Sequence, residues 1–335
     1  MFVRLTLFTS IFALIVIILG AYTRLSDAGL GCPDWPGCYG YATVYHAEDN
    51  ADSLDKTFPE RPLESAKAWK EMIHRYFAGT LGLLILLVAV LAVLNRRSVD
   101  QPIFLPLLLV GLVGFQAALG MWTVTLMLKP LVVMGHLLGG MTILSILWWL
   151  SLRNGRLFYV QDTAIPIGLR NSIIFWSGVA LLVVIMQISL GGWTSANYAA
   201  LHCPDFPTCQ GSWMPPTNFN EAFTLWHENG VNYQYGAMSN EARVTIHIMH
   251  RIGALTTFCL LSWLSFRIVR NARDEKLRKM GLVIAAILLL QVSLGITNVL
   301  ASLPLLVAVA HNAVAALLLL SIVTLNHMLR PRSLM

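Results

Sequence analysis

Charge is scarce in this chain. Asp, Glu, Lys and Arg make up 12% of its 335 residues against 56% hydrophobic ones, which excludes an ordinary soluble domain, where about a quarter of residues are charged. With no basic patch on a soluble face, the net charge of +6 is not a nucleic-acid footprint. There is no C-x-x-C-H for covalent c-type haem, and the cysteines lack the C-x-x-C spacing of zinc sites. A di-iron carboxylate bundle is excluded as well. It needs two E-x-x-H pairs and two further carboxylates, whereas the spans hold only Glu71 with His74.

What is present in abundance is apolar sequence. Eight runs of about 20 residues or more, each long enough to cross a bilayer, cover 5–23, 71–94, 103–126, 131–152, 173–194, 243–269, 280–300 and 305–325. The expected fold is all-α, a polytopic membrane protein of eight transmembrane helices. Basic residues gather beside alternate span ends: Arg4; Arg96 and Arg97; Arg153, Arg156 and Arg170; Arg267, Arg270, Arg273, Lys276, Arg278 and Lys279; Arg330 and Arg332. By the positive-inside rule that side is cytoplasmic. Both termini are then expected inside, with loops 24–70 and 195–242 outside. Residues 1–23 have the look of a signal peptide, but the segment recurs later as a span and is taken as one.

The chain repeats itself. Residues 20–40 (GAYTRLSDAGLGCPDWPGCYG) align with 191–211 (GGWTSANYAALHCPDFPTCQG) at a constant offset of 171, Cys32 onto Cys203 and Cys38 onto Cys209. Further on, EMIHR at 71–75 lies over HIMHR at 247–251, and His136 over His311. Two four-span halves, 1–160 and 161–335, are expected as a parallel repeat about a pseudo-two-fold axis along the membrane normal. A finer signature recurs at span ends: QAALGMWT at 116–123, QISLGGWT at 187–194 and QVSLGIT at 291–297. It reads as helix packing, with Gly allowing close approach and Gln bonding across helices.

Four histidines, His74, His136, His250 and His311, lie near the outer ends of the even-numbered spans. At about 1.5 Å per residue each falls roughly 5 to 10 Å inside the start of its predicted span. Ionisable rings in lipid are costly and need a common reason. The pairs His74 with His136 and His250 with His311 suit axial ligation of haem iron, one pair per half. Arg75 and Arg251 each follow a ligand candidate; their guanidinium groups read equally as propionate partners or as snorkelling interface residues. Glu71 is three residues before His74 and so shares its helix face. It is either a water-facing carboxylate at the helix start, favoured by the dipole, or a group that accepts a proton and stabilises positive charge beside a haem. Its counterpart is His247, whose role the sequence leaves unassigned. The cysteine pairs Cys32/Cys38 and Cys203/Cys209 read as two local disulfides, structural or redox. Cys259 reads as a small buried apolar residue. The acidic stretch 41–70 carries no interpretable motif.

Over nearly its whole length the chain resembles the haem A synthase family. The resemblance rests on GLGCPDWPGC, E-x-x-H-R at the second span, the C-P-x-x-P-x-C loop and H-R at the sixth, and the two later span histidines. It implies an oxidoreductase that converts the C8 methyl of haem O to formyl by two successive hydroxylations, with water as oxygen source, giving haem A for terminal oxidases. It further implies Glu71 as catalytic carboxylate, His74 and His136 on the substrate haem, and His250 and His311 on a prosthetic haem b. The N-terminal half is then catalytic and the C-terminal half holds haem b. Expected partners are haem O, lipid, an unnamed electron acceptor and, by implication, haem O synthase and a terminal oxidase; a homo-oligomer is compatible with the sequence. The expected location is a bacterial inner membrane. The alternatives are a bis-histidine di-haem cytochrome b oxidising quinol and a haem-delivery protein. The first is disfavoured because all four ligands share one leaflet, the second because it leaves Glu71 without a role.

Overall fold

The computed structural model describes residues 1–97, 101–155, 158, 167–226 and 231–329. Arg156, Arg330, Arg332 and the expected boundary at 160/161 lie outside the described residues. The elements in chain order are α1 (Phe2–Leu25), α2 (Val44–Glu48), α3 (Ala51–Thr57), α4 (Ser65–Leu94), α5 (Phe104–Thr125), α6 (Pro130–Gly155), α7 (Ile167–Ala196), α8 (Phe219–Ala222), α9 (Asn240–Asn271), α10 (Glu275–Leu300) and α11 (Leu305–Met328). Among the described residues there is no strand, and eight helices are long and apolar enough to span a membrane. This is the expected all-α, multi-pass architecture.

Helix ends follow local chemistry. Ser239 and Asp274 cap α9 and α10 by accepting from Ala242 and Leu277 N–H, the role oxygen-bearing side chains play at an N-cap. Several helices begin earlier than hydropathy alone places them, α4 and α7 by six residues each. Helix α4 starts at Ser65, six residues before Glu71, because Lys67, Trp69 and Lys70 suit a helix though not a hydrocarbon core. Hydroxyls inside the spans bond to their own helix, as Thr9 and Ser10 do to the carbonyls four residues back.

Packing sorts the long helices into two rings of four. In the first, α1 touches α4, α4 touches α5, α5 touches α6 and α6 returns to α1; in the second, the circuit is α7, α9, α10, α11. Among the described residues α4 and α6 do not pack on each other, nor do α9 and α11: each pair faces across the centre of its ring. The rings meet through α6 on α7 and α11, and α1 on α11. Since lipid is as apolar as the helix faces, close packing and polar contacts hold such bundles together. Across the junction of the rings Trp148 Nε1 donates to Thr324, and within the second ring Ser177 and Asn326 exchange hydrogen bonds between α7 and α11.

On the long-loop side the halves are tied by polar contacts. Arg24 donates to Tyr198 Oη (2.7 Å) and to the Ser195 carbonyl (2.8 Å), while Asp27 accepts from Tyr235 Oη (2.5 Å) and Gln234 Nε2 (3.2 Å). The bond to Asp27 holds the Tyr235 phenol above its usual pKa. The stretch 41–70 also has structure: α2 and α3 bury Val44, Ala47 and Leu54 against Cys32, Cys38 and Tyr39, forming a small cap over the first ring.

Candidate functional site

Each half carries the same device at its long-loop end. Cys32 with Cys38 and Cys203 with Cys209 sit at disulfide distance, with Cα–Cα separations of 4.9 and 4.6 Å. The aspartate of each C-P-D motif ties the loop shut. Asp34 accepts from the N–H groups of Tyr39 (2.6 Å) and Gly40 (2.7 Å), and Asp205 from those of Gln210 (2.6 Å) and Gly211 (3.0 Å). Asp205 also accepts from Thr208 Oγ1, which first among several hydrogen bonds holds its carboxyl below the usual value.

Arg75 and Arg251 reach up into these loops. Arg75 Nη1 donates to the carbonyls of Asp34 (3.0 Å), Pro36 (3.2 Å) and Gly37 (2.5 Å). Arg251 does the same to Cys203 (2.9 Å), Asp205 (2.8 Å) and Thr208 (2.7 Å). Both guanidinium groups are thus used on loop backbone. The sequence offered propionate binding or snorkelling and did not reveal this third use, since backbone acceptors leave no trace in residue identity.

One turn before each arginine, nearer the loops, the halves diverge. Glu71 is buried, 5% exposed, rather than water-facing at a helix start. Its Oε2 accepts the Cys32 N–H at 2.9 Å and its Oε1 pairs with Arg75 Nη2. At the corresponding place His247 Nδ1 donates to the Ala199 carbonyl at 3.2 Å. The imidazole that the sequence leaves unassigned therefore ties helix to loop.

Below this level stand the four histidines. His74 from α4 and His136 from α6 face across the centre of the first ring, ring centroids 6.5 Å apart and planes at 86°. Two imidazoles bound to one metal through opposed nitrogens, at about 2.0–2.1 Å each, would have centroids roughly 6.3 Å apart. The pair therefore already has the span of a bis-imidazole iron site. His250 from α9 and His311 from α11 occupy the same diagonal of the second ring, within electrostatic reach of each other. Nδ1 of His74, His136 and His311 is buried without a hydrogen-bond partner, so these rings are not explained as satisfied core residues. A glycine makes room for each ring: a Cβ on Gly20, Gly120, Gly191 or Gly295 would come within 2.9, 3.4, 3.1 or 3.1 Å of Cε1 of His74, His136, His250 or His311. The glycines of the repeated QxxLG signature are three of these four. Among the described residues no cluster of three or more His, Cys, Asp or Glu side chains gathers to hold a free ion. Two ligands on a diagonal fit a porphyrin, which supplies the other four. Cys259 is exposed on α9 rather than buried; the apolar sequence around it does not tell which side of a helix meets lipid.

Fold and site together define a helical membrane protein that presents one histidine pair in each of two four-helix rings, with a buried carboxylate, among the described residues, in only one of them. Residues 3–323 match the COX15-CtaA family, described as cytochrome oxidase assembly protein, and the chain belongs to that family. It is 47% identical over 330 residues to a protein of Shewanella oneidensis named heme A synthase, covering 97% of this chain and 96% of that one. Proteins of the same name from Nitrosospira multiformis (29% identical; 96% and 90% covered) and a Bradyrhizobium species (28%; 98% and 91%) match nearly as fully.

Proposed function

We propose that this chain oxidises the C8 methyl of haem O to a formyl group, giving haem A, with His74 and His136 holding the substrate haem and His250 and His311 a resident haem b. The single observation that carries this assignment of halves is Glu71, fixed one turn from His74 by the Cys32 N–H and Arg75, where the otherwise matched second half has His247. The bound haems supply the redox chemistry. The family and the names of its relatives support the same reaction.

The contribution of the chain is orientation and electrostatics. The rings of His74 and His136 fix the depth and tilt of the substrate. Glu71, held in a poorly solvated place, stabilises positive charge that develops at the methyl carbon and accepts a proton as water adds. An opposite charge at about 4 Å contributes roughly 4 kcal/mol at an effective dielectric near 20, or about a thousandfold in rate. Each of the two rounds takes two electrons and one proton from the carbon and adds a water molecule, which gives up the second proton to Glu71; the second product loses water to leave the formyl group. The electrons pass to an external acceptor. Arg75 and Arg251 act chiefly through the loops they hold, and Arg251 Nε, buried and unpartnered, is an N–H left for a propionate.

The two halves are read as a parallel repeat, 1–160 and 161–335, in a bacterial inner membrane with cytoplasmic termini and oxidised loop cysteines. Basic residues at the ends opposite the long loops support that orientation, as Arg153 and Arg270 do in the last turns of α6 and α9. Haem O synthase and a terminal oxidase are the natural neighbours in such a reaction. The test is to extract and mass-identify the haems of purified protein, with and without co-expressed haem O synthase. Haem B together with haem O or A supports the reading; haem B alone under both conditions would favour an electron-transferring cytochrome.

A further inference from the structure

The two histidine pairs differ in what touches them from behind. In the second half, Gln187 Nε2 lies 3.1 Å from His250 Nδ1, and Gln291 Nε2 lies 3.2 Å from His311 Nε2. Both glutamines come from the neighbouring helix, one turn before the glycine against which the ring packs. In the first half the same place on α1 holds Val16, one turn before Gly20, which offers His74 its backbone carbonyl and no polar side chain, and His74 Nδ1 has no partner. On α5 the glutamine is present as Gln116, but it meets His136 through its backbone carbonyl while its amide nitrogen is buried without a partner, pressed towards Gly139, and His136 Nδ1 is unpartnered. Among the described residues, neither first-half ring receives a side-chain hydrogen bond.

An axial imidazole gives one nitrogen to the metal, and a partner on the other nitrogen fixes its tautomer, orientation and basicity. Each second-half ring has one nitrogen at a glutamine amide and the other free of any side-chain hydrogen bond in the described structure. Oε1 of Gln187 and of Gln291 is itself buried and unpartnered. Each is therefore an acceptor available to the N–H that a metal-bound imidazole carries, once the amide turns about its last bond. Loss of such a partner typically weakens metal-site affinity about 10- to 100-fold.

We propose that Gln187 and Gln291, through their side-chain amides, are positioning residues that make the second half a site of permanent haem residence, and that backing by the backbone of Val16 and Gln116 alone makes the His74–His136 pair a site of exchange. A synthase must release its product from one half while keeping its cofactor in the other. The asymmetry in what backs the imidazoles provides that difference without changing the ligands. The inference rests on the assignment of halves made above and adds which residues set the lifetimes of the two haems.

The experiment loads the full-length, detergent-purified chain with haem B and haem O by co-expression with haem O synthase, then adds excess apomyoglobin as acceptor. Haem left on the protein is extracted and identified over time. In the wild type haem O leaves first and haem B remains. Gln187→Ala and Gln291→Ala should each speed haem B release about 10- to 100-fold, whereas Gln116→Ala leaves haem O release within about twofold. Val16→Gln should slow haem O release. Because it adds bulk beside His74, the second-half variants carry the test without it. Gln187→Glu should keep slow release and lower the haem B midpoint potential, because a carboxylate acceptor makes the ligand more basic; a role in packing alone leaves the potential unmoved. Unchanged haem B release in both alanine variants, or equal acceleration of haem O release by Gln116→Ala, overturns the proposal. A wild-type chain without any Soret band overturns instead the assignment of function on which it rests, before a variant is made.

Discussion

The two long-loop ends of this molecule are built to one plan and differ by one ionisable group at its centre. In both, an arginine next to a histidine grips the carbonyls of a loop pinned by a cysteine pair and an aspartate. In the first half a buried carboxylate completes the grip; in the second an imidazole does so. The comparison separates what Glu71 does in the fold from what is proposed for it in the chemistry. Holding the loop needs only some hydrogen-bonding group, and His247 suffices. The charge-stabilising role proposed beside the His74 pair belongs to the first half.

The largest effect expected from breaking the comparison is on turnover. Glu71→Gln keeps an acceptor for the Cys32 N–H, so haem content stays near wild type while conversion of haem O to haem A falls by about a thousandfold. Chromatography of extracted haems measures both; undiminished haem A formation would remove Glu71 from the chemistry. Equally severe but different in kind, His250→Ala should lose haem B, read as the pyridine haemochrome per protein, with the fold retained. A full low-spin haem B complement in that variant would refute the ligand assignment.

Next in size is the contrast between the arginines. Arg75→Ala leaves the buried Glu71 carboxylate without its ion pair and should cost about 3–5 kcal/mol. Arg251→Ala removes hydrogen bonds to carbonyls alone and should cost about 1–3 kcal/mol. Thermal unfolding in detergent ranks them, and the double variant Glu71→Gln/Arg75→Ala should recover part of the difference. Equal losses from the two single variants would mean that the ion pair contributes nothing beyond the loop contacts.

The smallest effect concerns pH. The Asp205 carboxyl titrates below its ordinary value in the folded chain, so its contribution to the second loop is fully present above the unfolded value near about 4 and is lost as pH falls through the folded one. Asp205 is only half-buried in a surface loop, so acidification should do no more than raise the rate of proteolytic nicking in 203–212. Asp205→Asn should show that raised rate at neutral pH and little further change on acidification.

Much of this was legible in the sequence, and the reasons are specific. Hydropathy located eight spans because lipid demands long apolar runs, and it misplaced the start of α4 because that helix continues beyond the apolar run. The histidine pairs were legible because repetition at nearly equal offsets, 176 and 175 residues, is improbable without a shared cause. The cross-helix reach of glutamine was readable from the QxxLG signature, and Gln187 and Gln291 make that contact. That Gln116 does not was hidden, since the three motifs are alike in residues and differ only in how the amide meets the facing helix. The arginine contacts and the exposure of Cys259 were hidden for a related reason: both depend on direction around a helix, and an unbroken apolar pattern does not encode it.

A Cβ on Gly31 would come within 2.6 Å of the Lys67 backbone, so the chain just before Cys32 lies directly against the first turns of α4. The loop cannot lift without taking the Cys32 N–H away from Glu71, nor can a side chain be inserted without lifting the loop. Where the second half has His202, the first has a bare α-carbon. The address of the carboxylate proposed to react is thus written partly in a missing methyl group, and a single alanine at 31 should disturb the proposed catalysis from outside the bilayer's apolar depth.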